Sequence, residues 1–235
     1  MWWLYSLLLF LSLLFPLLLS FEKKLRFYSR WKHLLPAILI MAVFYIHSDI
    51  LLTRKGIWGF NPRYHAEFTL FGLPLEEYLF FLVIPYASIF LHKALLLHFP
   101  RLQISSIFSK ILSAGLIIAA VFLILLHPGK IYTVYASVLL IASLVTGLSG
   151  RNGILRSFFL TFLVILFPFL VVNGILTGSF IDGEVVWYNP EEILGIRILT
   201  IPLEDFAYGF SLILFGLLLE KRLEDHSGST KSLHG

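Results

Sequence analysis

Cysteine is absent from the 235 residues, Met occurs only twice, and charged residues make up just 14%. Without cysteine there is no disulfide, no thiolate metal site and no cysteine nucleophile, and a metal would have only His and carboxylates to bind. A soluble domain carries charge on about a quarter of its residues. This chain, 58% hydrophobic with a mean hydropathy of +0.88, is an integral membrane protein. Its net charge of +4 and pI near 9.3 come from Lys and Arg scattered in short loops beside apolar runs. They read as a topology signal, and no nucleic-acid partner is expected.

What is present is apolar sequence in lengths of about 20 residues, enough to cross a bilayer. Seven spans are expected, at roughly 2–20, 34–52, 74–97, 107–127, 131–149, 155–177 and 199–219. The first has no basic residue ahead of it and runs directly into Phe21-Glu22-Lys23-Lys24, so it reads as a retained helix and not a signal peptide. Counting Lys and Arg by alternating loops gives thirteen on one side and five on the other. The positive-inside rule then puts the N-terminus outside and the C-terminus in the cytoplasm.

Two of these spans open on nearly the same words, Pro74-Leu75-Glu76-Glu77-Tyr78 and Pro202-Leu203-Glu204-Asp205-Phe206, and each is preceded by an Asn-Pro, Asn61-Pro62 and Asn189-Pro190. Both pairs keep an offset of 128 residues without a gap, from Pro74 to Pro202 and from Asn61 to Asn189. This is an internal repeat. The third and seventh spans are four apart, so both motifs enter the membrane from one face and can share a site. The organisation reads as a first repeat over 1–105, a connecting fourth span over 106–130 that keeps the repeats parallel, a second repeat over 131–222, and a disordered tail over 223–235. The fold class is an all-α, polytopic membrane bundle.

A Pro at a helix start followed by acids is also good helix capping, and for one copy that explanation is as good as a catalytic one. The repetition weighs against it, because a generic helix start does not demand Pro-Leu-acid-acid. Ionisable groups beside hydrocarbon are costly unless protonated, paired or in use. Successive helical positions point about 100° apart, so one acid of each pair suffices to face a cavity. Glu76 and Glu204, identical in both copies, are expected to be the inward pair, with Glu77 and Asp205 as proton donors or hydrogen-bond partners. An acid kept protonated by burial and by neighbouring carboxylates can donate to a very weak base.

Around the motifs, Tyr78, Phe80, Phe81, Phe206, Tyr208 and Phe210 offer ring faces that attract a cation, and Tyr78, Phe81, Phe206 and Tyr208 are the expected substrate contacts. His47 and Asp49 on the second span form a candidate proton relay, against the blander reading of a polar pair reaching interface water. His65, Arg63 and Arg197 belong to the motif-side loops, and Asn173 to a helix–helix contact. No His-rich spacing accompanies the acids, so no metal is expected, although residue types alone leave open magnesium held by carboxylates and a diphosphate.

Twinned Pro-Leu-Glu-Glu and Pro-Leu-Glu-Asp motifs on membrane helices, in two parallel repeats, resemble the carotenoid cyclases of the lycopene cyclase domain family, in the form where two halves are fused. The resemblance covers roughly residues 1 to 220. It implies non-redox cyclisation of the ends of lycopene to β-rings through a carbocation, giving γ- or β-carotene. It also makes Glu76, Glu77, Glu204 and Asp205 the acid and base candidates. No Gly-x-Gly-x-x-Gly follows a strand, so no flavin or other cofactor is expected. The implied partners are a carotenoid in the lipid phase, and a second copy or other enzymes of pigment synthesis; the implied location is a bacterial cytoplasmic membrane. The second motif departs from the first by ending in Asp205, which gives the halves unequal reach. The rival reading is a proton-coupled transporter, since parallel repeats and paired intramembrane acids also describe carriers. Against it, polar residues cluster at one face here, and Pro85 is the only obvious break in a helix.

Overall fold

Long apolar runs between short polar loops fold into seven α-helices in a computed structural model, which describes residues 1–150 and 153–232 and their side chains as far as Ser227. The helices are α1 (Leu4–Leu19), α2 (Trp31–Arg54), α3 (Leu75–His98), α4 (Ser106–Leu126), α5 (Ile131–Ser149), α6 (Ile154–Leu176) and α7 (Leu203–Ser232). Five of them, α2 to α6, are long and apolar enough to cross a membrane by length and composition. At 16 residues α1 is shorter, and α7 holds Glu204, Asp205 and Glu220 within its apolar stretch. The seven expected spans therefore comprise five that meet both criteria and two that lie alongside them, α1 along α3 and α7 along α5 and α2.

Two differences from the sequence reading have local causes. The seventh helix starts at Leu203 and not near 199, because Arg197–Ile198 and Ile201–Pro202 pair as a hairpin first. The tail expected to be disordered from 223 is helical as far as Ser232, where Lys221 pairs with Glu224 and Asp225 at helical spacing; residues 233–235 lie outside the described residues.

Both motif prolines sit in short strands. β1 (Trp58–Phe60) pairs antiparallel with β4 (Val186–Tyr188), β2 (Thr69–Leu70) with β3 (Leu73–Pro74), and β5 (Arg197–Ile198) with β6 (Ile201–Pro202). Pro74 is extended, with φ −66° and ψ 154°, and serves as the N-cap of α3, so both acids fall in the first helical turn. The hairpins repeat down to strain: Phe71 and Leu199, 128 residues apart, both hold left-handed φ of 54° and 56°.

The β1–β4 ladder shows how the halves are related. Gly59 lies opposite Trp187, its own counterpart 128 residues on, so the pseudo-twofold axis runs through this pair. A Cβ on Gly59 would stand 2.4 Å from the Trp187 indole, so only glycine lets the ring lie across the axis. Away from the axis the halves interlock. Helix α2 packs along α7 of the other repeat, α6 packs along α3, and α4 lies against α5 outside this exchange. Buried Phe158, Phe162, Phe210, Leu214 and Leu217 form the largest core cluster, at the end of the bundle away from the motifs.

Candidate active site

Each acidic pair divides its carboxyls between two environments. Glu76 and Glu204 are buried and tie the hairpin loops to the helices. Glu76 Oε1 accepts from Ser6 Oγ (2.7 Å) and the Ala66 backbone N–H (2.9 Å); Glu204 Oε1 accepts from Thr133 Oγ1 (2.6 Å) and the Leu194 N–H (2.7 Å). Neither lines the main cavity between the helices, and the second oxygen of each is buried without a partner. The expectation that these two face the site is corrected: it is Glu77 and Asp205, one helical step on, that point into a shared cavity of about 390 Å³.

That cavity lies between α1, α3, α6 and α7 and draws on both repeats. Its polar end carries Glu77, Asp205 and Asp49, with Tyr5, Tyr132, Tyr188 and Trp58 around them. Tyr5 Oη donates to Glu77 Oε2 at 2.5 Å, and Tyr132 Oη donates to Asp205 Oδ1 at 2.5 Å. Asp205 Oδ2 also accepts from Tyr188 Oη (3.0 Å) and Asn173 Nδ2 (3.3 Å). Burial, then the Asp205 carboxylate beside it, push the phenol of Tyr188 in β4 well above its usual range, so it stays a donor. Asp49 Oδ1 accepts from Trp58 Nε1 (2.6 Å) and Thr53 Oγ1 (3.2 Å), its Oδ2 is buried without a partner, and its carboxyl shares the polar end of the cavity with that of Glu77.

From this end the cavity runs down α3 as far as Leu91, fourteen residues or roughly 21 Å from Glu77 at the rise of an α-helix. Its far end is apolar, with Phe90, Leu91, Ile165 and Ile213, and abuts the large core cluster. Leu11, Phe15 and Pro168 line it and are also exposed on the outside of the bundle. The cavity therefore opens sideways between α1 and α6, onto the surface that meets hydrocarbon. Both helices carry an internal proline at this mouth, Pro16 and Pro168.

Among the described residues, the position related to this cavity by the repeat is filled by side chains. Where the second repeat has Asn173 and Gly209, both on the cavity, the first has Tyr45 and Phe81, 128 residues earlier. Those two rings are buried with centroids 6.1 Å apart, and with Met41 and Leu212 they fill a core cluster.

Of the expected substrate contacts, Phe81 and Tyr208 line the cavity. Tyr78 and Phe206 do not: Tyr78 Oη donates to the Leu70 carbonyl (2.7 Å), and Phe206 packs on Phe169 with centroids 5.0 Å apart. The expected His47–Asp49 relay is not assembled. Asp49 is buried at the cavity, while His47 is exposed on another face of α2. Asn61 and Asn189 keep a supporting place, each accepting from the backbone N–H two residues on through its side chain, at 3.0 Å. Arg63 pairs with exposed Asp182 at 2.9 Å, the Arg197 guanidinium lies over the Tyr188 ring at 5.8 Å, and buried His65 contacts the Ala66 carbonyl, away from the cavity.

Tyr5, Tyr132, Tyr188 and Trp58 were not distinguished by sequence from other aromatics. One signal was present for the first two: Tyr5 and Tyr132 are equivalent in space but 127 residues apart, so a gapless repeat comparison passes over them.

The lycopene cyclase family model matches residues 2–95 and 129–223, one segment for each repeat. The chain belongs to the lycopene cyclase family. No curated protein and no solved structure matches it. The intervening α4 lies outside both matched segments, as it lies outside the interlocked exchange of helices. For a cyclase acting on a carotenoid, the cavity has the right parts. It has a lateral mouth for a lipid-phase substrate, a long apolar corridor, and carboxyls and aromatic faces at one end.

Proposed function

We propose that this cyclase converts the acyclic ends of lycopene to β-rings, as an isomerising intramolecular lyase without net redox change, in the cavity shared by Glu77 and Asp205. The observation that carries the reading is the meeting of these two carboxyls, one from each repeat, at the closed polar end of an otherwise apolar corridor. One carboxylic acid gives its proton to the inner, hydrogen-bearing carbon of the terminal double bond, leaving a tertiary cation on the outer, dimethyl-bearing carbon. The π pair of the nearby internal double bond then forms the ring C–C bond. A carboxylate removes the adjacent ring proton, whose bonding electrons become the ring double bond. The substrate gains one proton and loses one, so the product is an isomer.

Ring faces of Trp58, Tyr132 and Tyr208 border the polar end and attract the cation, an effect worth about 2 kcal/mol or more when desolvated. The surrounding apolar walls keep water from capturing it. A transporter reading would need a polar route onward through the bundle, whereas Phe90, Leu91, Ile165 and Ile213 line the far end. By resemblance to the fused family form we place the protein in a bacterial cytoplasmic membrane, and the thirteen-to-five division of Lys and Arg supports an orientation with the motif loops outside.

The test is expression in a lycopene-accumulating bacterial host, with pigments separated by chromatography. The wild type should consume lycopene and form β- or γ-carotene, whereas Glu77→Gln and Asp205→Asn, at equal membrane levels, should leave lycopene unchanged. Intact lycopene beside well-inserted wild-type protein would overturn the assignment of substrate.

A further inference from the structure

The two carboxyls that meet in the cavity are not served alike. Asp205 accepts three hydrogen bonds, from Tyr132, Tyr188 and Asn173, all neutral donors. An ionised carboxylate is acceptor-only, and three donors suit that form. Glu77 accepts one such bond, from Tyr5, and it shares its end of the cavity with a second carboxyl, Asp49, whose Oδ2 is buried without a partner. Two carboxyls sharing one buried end have no donor to offer each other unless a proton is present.

The asymmetry arises where the repeats differ. Tyr5 and Tyr132 serve the two acids equivalently. Tyr188, however, stands where the first repeat has Phe60, and Asn173 where it has Tyr45, so Asp205 gains two donors that Glu77 lacks. Asp49 stands where the second repeat has Thr177, so Glu77 gains a carboxyl that Asp205 lacks. Asp49 Oδ1 takes both Trp58 and Thr53, which leaves its buried, unpartnered Oδ2 as the oxygen that can carry a proton at this end of the cavity.

We propose that Asp49 and Glu77 form a protonated carboxyl pair in which Glu77 is the acid that starts cyclisation, and that Asp205 stays ionised and acts as the base. This rests on the cyclase reading and divides its two roles. Asp49 is a positioning residue: its O–H donates to Glu77, and the same bond stabilises the Glu77 carboxylate once the proton has gone to the alkene carbon. Glu77 loses one proton and Asp205 gains one in each ring closure, and the proton returns across the shared cavity before the next. Asp205 also places its negative charge opposite the cation while that cation exists, which a neutral acid there would not do.

Infrared difference spectra of the purified, membrane-reconstituted protein test the protonation states without reference to turnover. Asp49→Asn and Glu77→Gln should each remove a protonated-carboxyl C=O stretch, and Asp205→Asn should remove a carboxylate stretch. A carboxylate lost from Asp49→Asn or Glu77→Gln, or an acid C=O lost from Asp205→Asn, overturns the proposal. Turnover gives the second readout. Asn at 49 can still accept from Trp58 and donate to Glu77, so Asp49→Asn should keep ring formation within about tenfold of wild type, while Asp49→Leu should fall by roughly a hundredfold. Equal loss in both variants would mean an ionised Asp49 and would overturn it too. Failure of the wild type to form rings would count against the cyclase reading alone, because the infrared result does not depend on substrate.

Discussion

One step along a helix separates a carboxyl that holds the fold from one that faces the cavity. Glu77→Gln should lower ring formation by about 10²–10⁴-fold at normal membrane levels, as expected for losing a general acid or base. Glu76→Gln still offers an oxygen to Ser6 and Ala66 and should stay within about tenfold. Glu76→Leu takes away the acceptor of the exposed Ser6 hydroxyl and of the partly buried Ala66 N–H, and thermal unfolding in detergent should show a loss of about 1 kcal/mol for each hydrogen bond. Sequence pointed to four acids and expected Glu76 and Glu204 to face the site, whereas Glu77 and Asp205 are the ones that line the cavity. The identity of Glu76 and Glu204 was read as a sign of catalysis, but it reflects a shared structural task, accepting one hydroxyl and one loop N–H in both halves. Helical phase gave the angle between the two carboxyls, not which one meets the space left by α1 and α6. Tyr188 and Asn173 were hidden for a related reason: long-range packing of β4 and α6 brings them to Asp205.

At the scale of elements, the interlock depends on a close crossing at the pseudo-twofold axis. Gly59→Ala would push a methyl into the Trp187 indole, and a cost of about 1–3 kcal/mol should appear in thermal unfolding, as for other overpacked sites. The double variant Gly59→Ala/Trp187→Ala should recover part of that loss, since the clash involves only this pair. The membrane helices were legible within a few residues at most ends because apolar length is a strong signal. The two- and three-residue strands were not, because so few residues carry no periodicity. They matter nonetheless, since β4 carries Tyr188 and the hairpins set where α3 and α7 begin.

For the whole molecule, one cavity from two repeats means that neither half holds a complete site. A chain divided in the loop between α4 and α5 should be inactive as either piece alone and regain ring formation when both are coexpressed, with α2 docking on α7 and α6 on α3. Pigment chromatography and co-purification of the two pieces would check this. The repeat, its parallel sense and the common face of the acids could be read from one constant offset. That the repeat yields a single space could not, because it depends on Asn173 and Gly209 standing where the first half has Tyr45 and Phe81. Gly209→Phe should fill the corridor and stop turnover while leaving the polar end intact. Under the proposed function, a corridor that opens between α1 and α6 and holds its carboxyls at one end also sets the timing of the work. On that proposal, a substrate with two reactive ends would be finished in two visits, and between them the half-finished molecule would be back in the bilayer, competing with every untouched one. The proportion of one-ringed to two-ringed pigment is then settled by recapture, and it shifts with enzyme dose and pigment pool while the protein itself stays the same.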